Sequence, residues 1–135
     1  MTAHVVSPDT VHKPTTYYSH AMVTEGIVYT AGQAPHDLDG KVLPPSDPRM
    51  QIRQVFENMH AVLSASYSSF DNVVQIRIFL RERGILHEFW QIAREYFHDN
   101  HPAVTISVVD GLAGSEYLLE MDAIAVRETS SDVGD

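Results

Sequence analysis

Two carboxylates lie two positions apart in an apolar segment near the C-terminus, LLEMDAIAVR, residues 118–127. If this segment is a strand, the alternation of its side chains places Glu120 and Asp122 on one face, roughly 7 Å apart. Both faces of that strand are largely apolar, so we expect it to be buried on both sides. An unpaired carboxylate in such surroundings has a raised pKa, which suits a general acid or base that works near neutral pH.

A structural role is the alternative for both acids. Each carboxylate could pair with an arginine on a neighbouring strand, such as Arg77 or Arg81, or with a backbone N–H of another subunit. Periodicity identifies the two acids, but it does not distinguish a catalytic carboxylate from a paired one. Both interpretations stay open on this evidence.

Strands and turns are predicted on the N-terminal side of the first helix. Two short strands lie in SHAMVTEGIVYTAGQAP, on either side of a turn at Glu25-Gly26. The next segment, HDLDGKVLPPSDP, is predicted as a loop because it contains Asp39-Gly40 and three prolines. We expect a small hairpin at the tip of this loop.

Two amphipathic helices are predicted from the spacing of apolar residues. Asp47 is the expected N-cap of the first helix and Pro48 its first residue, and the helix should end near SASYSS, residues 64–69. The second helix runs from about Ile85 to Phe97. It ends at HDNHP, because Pro102 disfavours helical conformation at the residue before it.

Three further strands, in VVQIRIFLRE, HPAVTISVVDG and EYLLEMDAIAVR, complete the predicted elements. The order β-β-α-β-α-β-β favours an α/β fold in which one sheet carries two helices on one face. No helix remains for the other face, so we expect oligomerisation to bury it. We divide the chain into an N-terminal tail, 1–12, a single domain, 13–128, and a C-terminal tail, 129–135.

Composition narrows the class of protein. The 135 residues suit one domain, and the lack of cysteine excludes disulfides and thiolate chemistry. A formal charge of −9 weighs against non-specific binding to nucleic acid. No apolar run reaches the roughly 20 residues of a membrane helix, and MTAHVVSPDTVHK lacks the features of a secretory signal. We therefore expect a cytoplasmic protein that binds neither nucleic acid nor membranes.

Five segments, in order along the chain, resemble the landmark motifs of the RidA (YjgF) family of reactive-intermediate deaminases: TYYSHAM, VYTAGQAP, QIRQVFENMHAVLSASYSSFDNVVQIRIFL, HPAVTISVV and LLEMDAIAVR. The resemblance covers about residues 15–127. It implies a chorismate-mutase-like fold and a homotrimer whose sheets form a barrel, with clefts at the subunit boundaries. It also implies hydrolysis of enamines and imines to carbonyl compounds and ammonia, without a metal or organic cofactor.

The same resemblance implies a set of site residues. Glu120 corresponds to the first glutamate of the family's E-I-E motif, which positions or activates the hydrolytic water, and Asp122 replaces the second glutamate. Tyr18 matches a tyrosine of the first motif; packing at a subunit edge is its alternative role. Gly32 and Gln33 match the family's glycine-glutamine pair, and could instead serve the turn. The full predicted set is catalytic Glu120 with substrate-binding Tyr18, Gly32, Gln33, Ala34, Trp90, Val104 and Thr105.

Val104 departs from the family's pattern. The family's P-A-R-S motif carries an arginine that binds the α-carboxylate of the substrate through two charge-assisted hydrogen bonds, whereas this chain reads PAVT. Loss of such a contact costs on the order of 2–5 kcal/mol of binding. Simple 2-iminoacids are therefore expected to be poor substrates, although Thr105 keeps a hydroxyl where the family has serine.

Three histidines lie close to these motifs. His20, His36 and His101 are interpreted as exposed loop residues, with a place in the cleft as the alternative for His20 and His36. The eight histidines lack the spacing of a metal site, so no metal is predicted.

Three functions are considered. The leading hypothesis is a hydrolase of enamines or imines that lack an α-carboxylate, with Glu120 orienting water. The alternative is a non-catalytic small-molecule-binding or pathway-accessory protein of the same fold. Ribonuclease activity, ascribed to some relatives, is disfavoured by the charge of −9.

Overall fold

The structure, a computed structural model, describes residues 2–128 and contains one six-stranded sheet and two α-helices. The strands are β1 (His4–Val6), β2 (Ala21–Thr24), β3 (Ile27–Thr30), β4 (Val73–Leu80), β5 (Ala103–Val108) and β6 (Leu119–Val126). The helices are α1 (Pro48–Ala65) and α2 (Leu86–Phe97).

The sheet has the order β1-β2-β3-β6-β4-β5. β4 and β5 are parallel, and all other neighbouring strands are antiparallel. The helices and the inward side chains of the strands form one hydrophobic core. The predicted α/β domain with two helices is confirmed, with one more strand than expected. Among residues 2–128 no helix is long and apolar enough to cross a membrane; the cytoplasmic location stays a prediction.

The N-terminal segment differs from the prediction of a tail over residues 1–12. His4–Val6 forms an edge strand that pairs with β2, and both Val11 and His12 are buried. A strand of three residues is too short for alternation to reveal it, since its order comes from backbone pairing with the neighbouring strand. The predicted C-terminal tail, 129–135, lies outside the described residues.

The two helices begin and end close to the predicted positions. The Asp47 side chain accepts a hydrogen bond from the backbone N–H of Met50 at 3.2 Å, and Pro48 is the first helical residue of α1. α2 ends where His98 adopts a positive φ of 52°. Both predicted turns are also present: Glu25 and Gly26 have positive φ, and a bridge between His36 and Val42 closes the small hairpin around Gly40.

β6 lies in the interior of the sheet, between β3 and β4. Leu119, Met121 and Ala123 point toward the helices and are buried, whereas Glu120 and Asp122 lie on the opposite face and are only partly buried. The expectation that β6 is buried on both faces is therefore wrong for a single chain. The face that carries the two acids has no helix above it.

That uncovered face also carries a row of apolar side chains across four strands. The pairing register aligns Val5 with Met22, Met22 with Tyr29, and Tyr29 with Ile124. Met22 and Tyr29 are 37% and 44% exposed, which is high for residues in the middle of a sheet. An uncovered apolar face of this kind is typical of a surface that another subunit covers.

Candidate functional site

Glu120 lies beside an irregularity in the pairing of β3 with β6. Tyr29 pairs with Ile124, and the next bridge joins Gln33 to Met121, so three residues of one segment face two of the other. The extra residue pushes the segment containing Gly32 out of the regular ladder. Bulges of this type are frequent next to active sites.

Gly32 is in close contact with the carboxylate of Glu120. A Cβ atom at this position would lie 2.3 Å from Oε2 of Glu120, so any other residue would displace the carboxylate or the loop. The loop itself is fixed by two backbone hydrogen bonds between Gln33 and Met121, at 2.7 and 3.1 Å. The glycine is therefore required by the position of the acid, and not by a turn.

A cleft of about 330 Å³ opens in front of Glu120 and Gly32. The segment before β2 contributes one wall, and the segments that follow β3 and precede β6 contribute the others. The lining residues are His12, Thr15, Thr16, Tyr18, Ala31, Gly32, Ala34, His36, Ala113, Tyr117 and Glu120. None of these is an arginine or lysine, so the charge on Glu120 has no cationic partner in the cleft.

The electrostatic surroundings of Glu120 favour its neutral form. Partial burial raises the pKa of the Glu120 carboxyl, and repulsion from Asp122 raises it further. Within residues 2–128 we find no ion pair or hydrogen bond to this carboxylate. The pKa of Tyr18 and that of Tyr117 are also raised, first by burial and then by the negative charge of Glu120. A carboxylate with a raised pKa and no counterion among the described residues is a candidate functional group.

Asp122, in contrast, is held by a neighbouring strand. Arg77, directly across on β4, donates from Nη2 at 2.6 Å to Oδ2 and from Nε at 3.1 Å to Oδ1. The structural alternative therefore applies to Asp122. Arg81, the other predicted partner, instead donates to the backbone carbonyl of Ser115 at 2.7 Å.

Three imidazoles cluster at the cleft, and the prediction that His20 and His36 are exposed is wrong. His20 is buried, with Nε2 at 2.6 Å from the carbonyl oxygen of His12. The rings of His12 and His36 stack with centroids 4.5 Å apart. Burial lowers the pKa of His12 to about 4 and lowers that of His36. In the described part of the chain no set of three potential metal ligands has metal-binding geometry.

Tyr18 and Gln33 have different positions relative to the cleft. Tyr18 lines it, with its hydroxyl 3.5 Å from Nε2 of His12. Gln33 is buried, and its side-chain amide lies 3.3 Å from both Nδ1 of His20 and the carbonyl oxygen of Ala31. The Gln33 side chain therefore supports the wall of the cleft from behind.

Trp90, Val104 and Thr105 are not brought to the Glu120 cleft within one chain. Trp90 and Val104 line a second cavity of about 310 Å³, between α2 and the edge strand β5. Thr105 is paired with Arg77 of β4, so it lies on the opposite face of the sheet from Val104. The exposed His101 stands at the edge of the second cavity.

The cleft residues that the sequence does not predict include two with side chains that can do chemistry, His12 and Tyr117. His12 falls in the segment interpreted as a tail. Tyr117 is placed by Gly114, because a Cβ at that glycine would lie 2.3 Å from the tyrosine ring. The aromatic residue three positions before Glu120, preceded by a glycine-containing turn, is the sequence feature that could have identified it.

Comparisons with known proteins agree with this architecture. The profile of the family described as endoribonuclease L-PSP matches residues 10–127. Protein HMF1 of Saccharomyces cerevisiae is 37% identical over 111 residues, covering 82% of this chain and 84% of that protein. The crystal structure of yeast Mmf1 matches with a TM-score of 0.89 at 32% identity, covering 94% of this chain and all of that one. YyfA of Yersinia pestis, described as a protein of unknown function of the conserved Rid family, matches with a TM-score of 0.88 at 28% identity, covering 93% and 99%.

Proposed function

The chain belongs to the endoribonuclease L-PSP family, which includes the YjgF, RidA and RutC proteins, and from this premise we propose that it hydrolyses enamines and imines to carbonyl compounds and ammonia. The observation that carries the proposal is the Glu120 carboxylate, which lies against Gly32 in a cleft and has no partner among residues 2–128. The reaction needs no metal or organic cofactor, because a single carboxylate can relay a proton to the nitrogen twice, once from water and once from the carbinolamine hydroxyl.

For an imine, or for an enamine after its tautomerisation to the imine, the chemical steps balance with one water and one carboxylate. Glu120 takes a proton from water as the water oxygen bonds to the imine carbon, and the C=N π electrons move to nitrogen, which takes the proton from Glu120. Glu120 then removes the hydroxyl proton of this carbinolamine. The C=O bond forms as the C–N bond breaks, and the nitrogen leaves as ammonia after it has taken that proton. The raised pKa of Glu120 suits both directions of transfer.

The preferred substrate is an imine or enamine without an α-carboxylate. No cationic side chain lines the cleft, and Val104 stands where the family resemblance places the arginine clamp. Glu120 would repel a carboxylate on the substrate. Absence of the clamp corresponds to roughly 30- to several-thousand-fold weaker binding of a 2-iminoacid.

The working assembly is a homotrimer, as the resemblance to RidA proteins implies. Two features support it: the uncovered apolar row through Met22 and Tyr29, and an edge strand, β5, whose Val104 is 38% exposed. A neighbouring copy would bring Trp90, Val104 and Thr105 to the cleft that Glu120 occupies. The separation of the predicted site into two cavities within one chain is consistent with this assembly.

The proposal is tested by ammonia release from imines generated in situ, some with an α-carboxylate and some without. We expect the wild type to accelerate only the second group, and Glu120→Gln to lose about 10²- to 10⁴-fold in turnover, since general acid–base catalysis is of this size. Solution mass near three times 15.1 kDa for both proteins is the control for assembly. Full activity of Glu120→Gln would contradict the proposal.

A binding protein without turnover is the second candidate. The cavity of about 310 Å³ beside Trp90 and Val104 favours it, since its floor is largely apolar and Glu120 is not among its lining residues. Binding of such a ligand without its consumption, together with no ammonia release from any imine, would support this candidate. Ribonuclease activity is disfavoured by the charge of −9 and the lack of cationic residues in the cleft.

A further inference from the structure

A tyrosine–histidine pair forms part of the wall of the Glu120 cleft. Nε2 of His36 lies 2.5 Å from the hydroxyl oxygen of Tyr117, and both residues line the cleft with Glu120. Nδ1 of His36 is buried and has no partner within the described residues. These facts favour one direction of the hydrogen bond, with His36 as the donor.

The imidazole of His36 is the donor in this pair. If the phenol donated to Nε2, the ring proton would sit on Nδ1 as a buried N–H without an acceptor, which is rarely found in proteins. If Nε2–H donates to the phenol oxygen, Nδ1 is only an unused acceptor, which is tolerated better. Burial lowers the pKa of His36, which disfavours the doubly protonated ring. The hydroxyl proton of Tyr117 is therefore free to point into the cleft.

The position of this hydroxyl is fixed from several sides. The ring of Tyr117 fills the space that a Cβ at Gly114 would occupy. Arg81 holds the same turn through its bond to the Ser115 carbonyl. The ring of His12 stacks on that of His36. The Tyr117 hydroxyl is thus held in place by its neighbours in the cleft, unlike a hydroxyl on an exposed side chain.

We propose that Tyr117, oriented by His36, donates a hydrogen bond to a neutral acceptor on the substrate, so that the cleft selects imines bearing an amide or ester carbonyl in place of a carboxylate. This inference rests on the proposed function and specifies its substrate class. The cleft holds one anion and no cation. A neutral carbonyl meets a neutral donor there without repulsion, whereas a carboxylate meets Glu120 without a counterion. Tyr117 is the group that touches substrate, and His36 is a positioning residue.

The test compares a 2-imino amide with an imine of similar size that has no second polar group. For Tyr117→Phe we expect the ratio of kcat/KM for the amide to that for the plain imine to fall by about 2- to 12-fold, the effect of one neutral hydrogen bond. The change should appear mainly in KM. Tyr67→Phe, which removes the hydroxyl of an exposed tyrosine outside the cleft, is the matched control and should leave the ratio unchanged.

Variants of His36 test the positioning role. His36→Gln keeps an N–H donor near the position of Nε2 and should retain most of the preference, whereas His36→Leu should lose as much of it as Tyr117→Phe. A ratio that is unchanged in Tyr117→Phe would overturn the inference. Equal losses on both substrates would overturn it as well, because they would indicate a structural role only.

A binding measurement separates this inference from the proposed function. If the wild type releases ammonia from no imine, the proposed function fails, and the dissociation constant of a 2-oxo amide then decides the inference by calorimetry. Weaker binding by Tyr117→Phe than by the wild type would support the hydrogen bond. No binding by the wild type, or equal binding by both proteins, would overturn it.

Discussion

Glu120 and Asp122 lie on the same face of one strand, two residues apart, and yet their surroundings are opposite. Asp122 is across from Arg77 on β4 and accepts three hydrogen-bond contacts from its guanidinium group. Glu120 is across from Phe79 and has no such partner among residues 2–128. The pairing register, and not the sequence of β6 alone, decides which acid is paired and which is available for chemistry.

β3 and the segment that follows it, on the other side of β6, add to the difference between the surroundings of the two acids. Near Asp122, a hydrogen bond of 2.9 Å from the backbone N–H of Ala123 to Oγ1 of Thr30 keeps the two segments together. Near Glu120, the extra residue in the segment that leads to Gln33 opens the ladder, and Gly32 leaves room for the carboxylate. Asp122 is thus held in an ion pair, whereas the bulge and Gly32 leave space around the carboxylate of Glu120.

Among changes outside the two acids, Gly32→Ala should cause the largest loss of turnover. The new methyl group would meet Oε2 of Glu120 at 2.3 Å, so the carboxylate must move. We expect turnover to fall by about 10- to 100-fold, because a displaced catalytic group loses much of its orientation. Steady-state ammonia release would measure the loss.

Gly84→Ala is the matched control for this change, since nothing lies within 4 Å of a Cβ at that exposed glycine. We expect it to retain normal turnover. Wild-type turnover in Gly32→Ala would mean that the position of the carboxylate does not matter, and would contradict the role given to Glu120.

Asp122→Asn should give a smaller effect, on stability. It replaces a largely buried acceptor of a charge-assisted pair, so we expect the midpoint of thermal unfolding to fall by about 1–3 °C. Glu95→Gln breaks a two-bonded pair with Arg53 in which both side chains are about half exposed, and should change the midpoint less. Differential scanning calorimetry of the two variants checks the order; a larger loss for Glu95→Gln would contradict it.

The smallest expected effect is a shift in the pH dependence of turnover. In the proposed mechanism the ionised carboxylate takes the proton from water, so activity should fall as the pH drops through the pKa of Glu120, which lies above its usual value. Repulsion from Asp122 contributes to that rise. Asp122→Asn removes this repulsion and should move the acidic limb to lower pH. A limb that moves to higher pH, or that persists in Glu120→Gln, would assign it to another group.

The sequence is sufficient to predict the parts of the fold that rest on local chemistry. Asp47 and Pro48 define the start of α1, and Glu25-Gly26 defines a turn, because capping and positive φ depend on a few neighbouring residues. The three residues of β1 could not be predicted, since only pairing with β2 orders them. Because β1 cannot be predicted, the sequence also indicates a tail where the structure buries His12.

The candidate site was predictable only in part. Resemblance to a family placed Tyr18, Gly32 and Glu120, which the structure gathers in one cleft. Periodicity could not separate Glu120 from Asp122, because the residue across from each acid lies more than 40 positions away on β4. Periodicity cannot predict the contact between His36 and Tyr117 either, because the two residues are 81 positions apart in the chain.

The division of roles between the two acids is tested most directly by measuring the turnover of Glu120→Gln and Asp122→Asn side by side, on one imine that lacks an α-carboxylate. Both changes remove one negative charge and keep the size of the side chain. We expect a loss of about 100-fold or more for Glu120→Gln, and turnover within roughly threefold of the wild type for Asp122→Asn, whose contacts are structural. Similar losses in the two variants, or a greater loss in Asp122→Asn, would contradict the division of roles between the two acids.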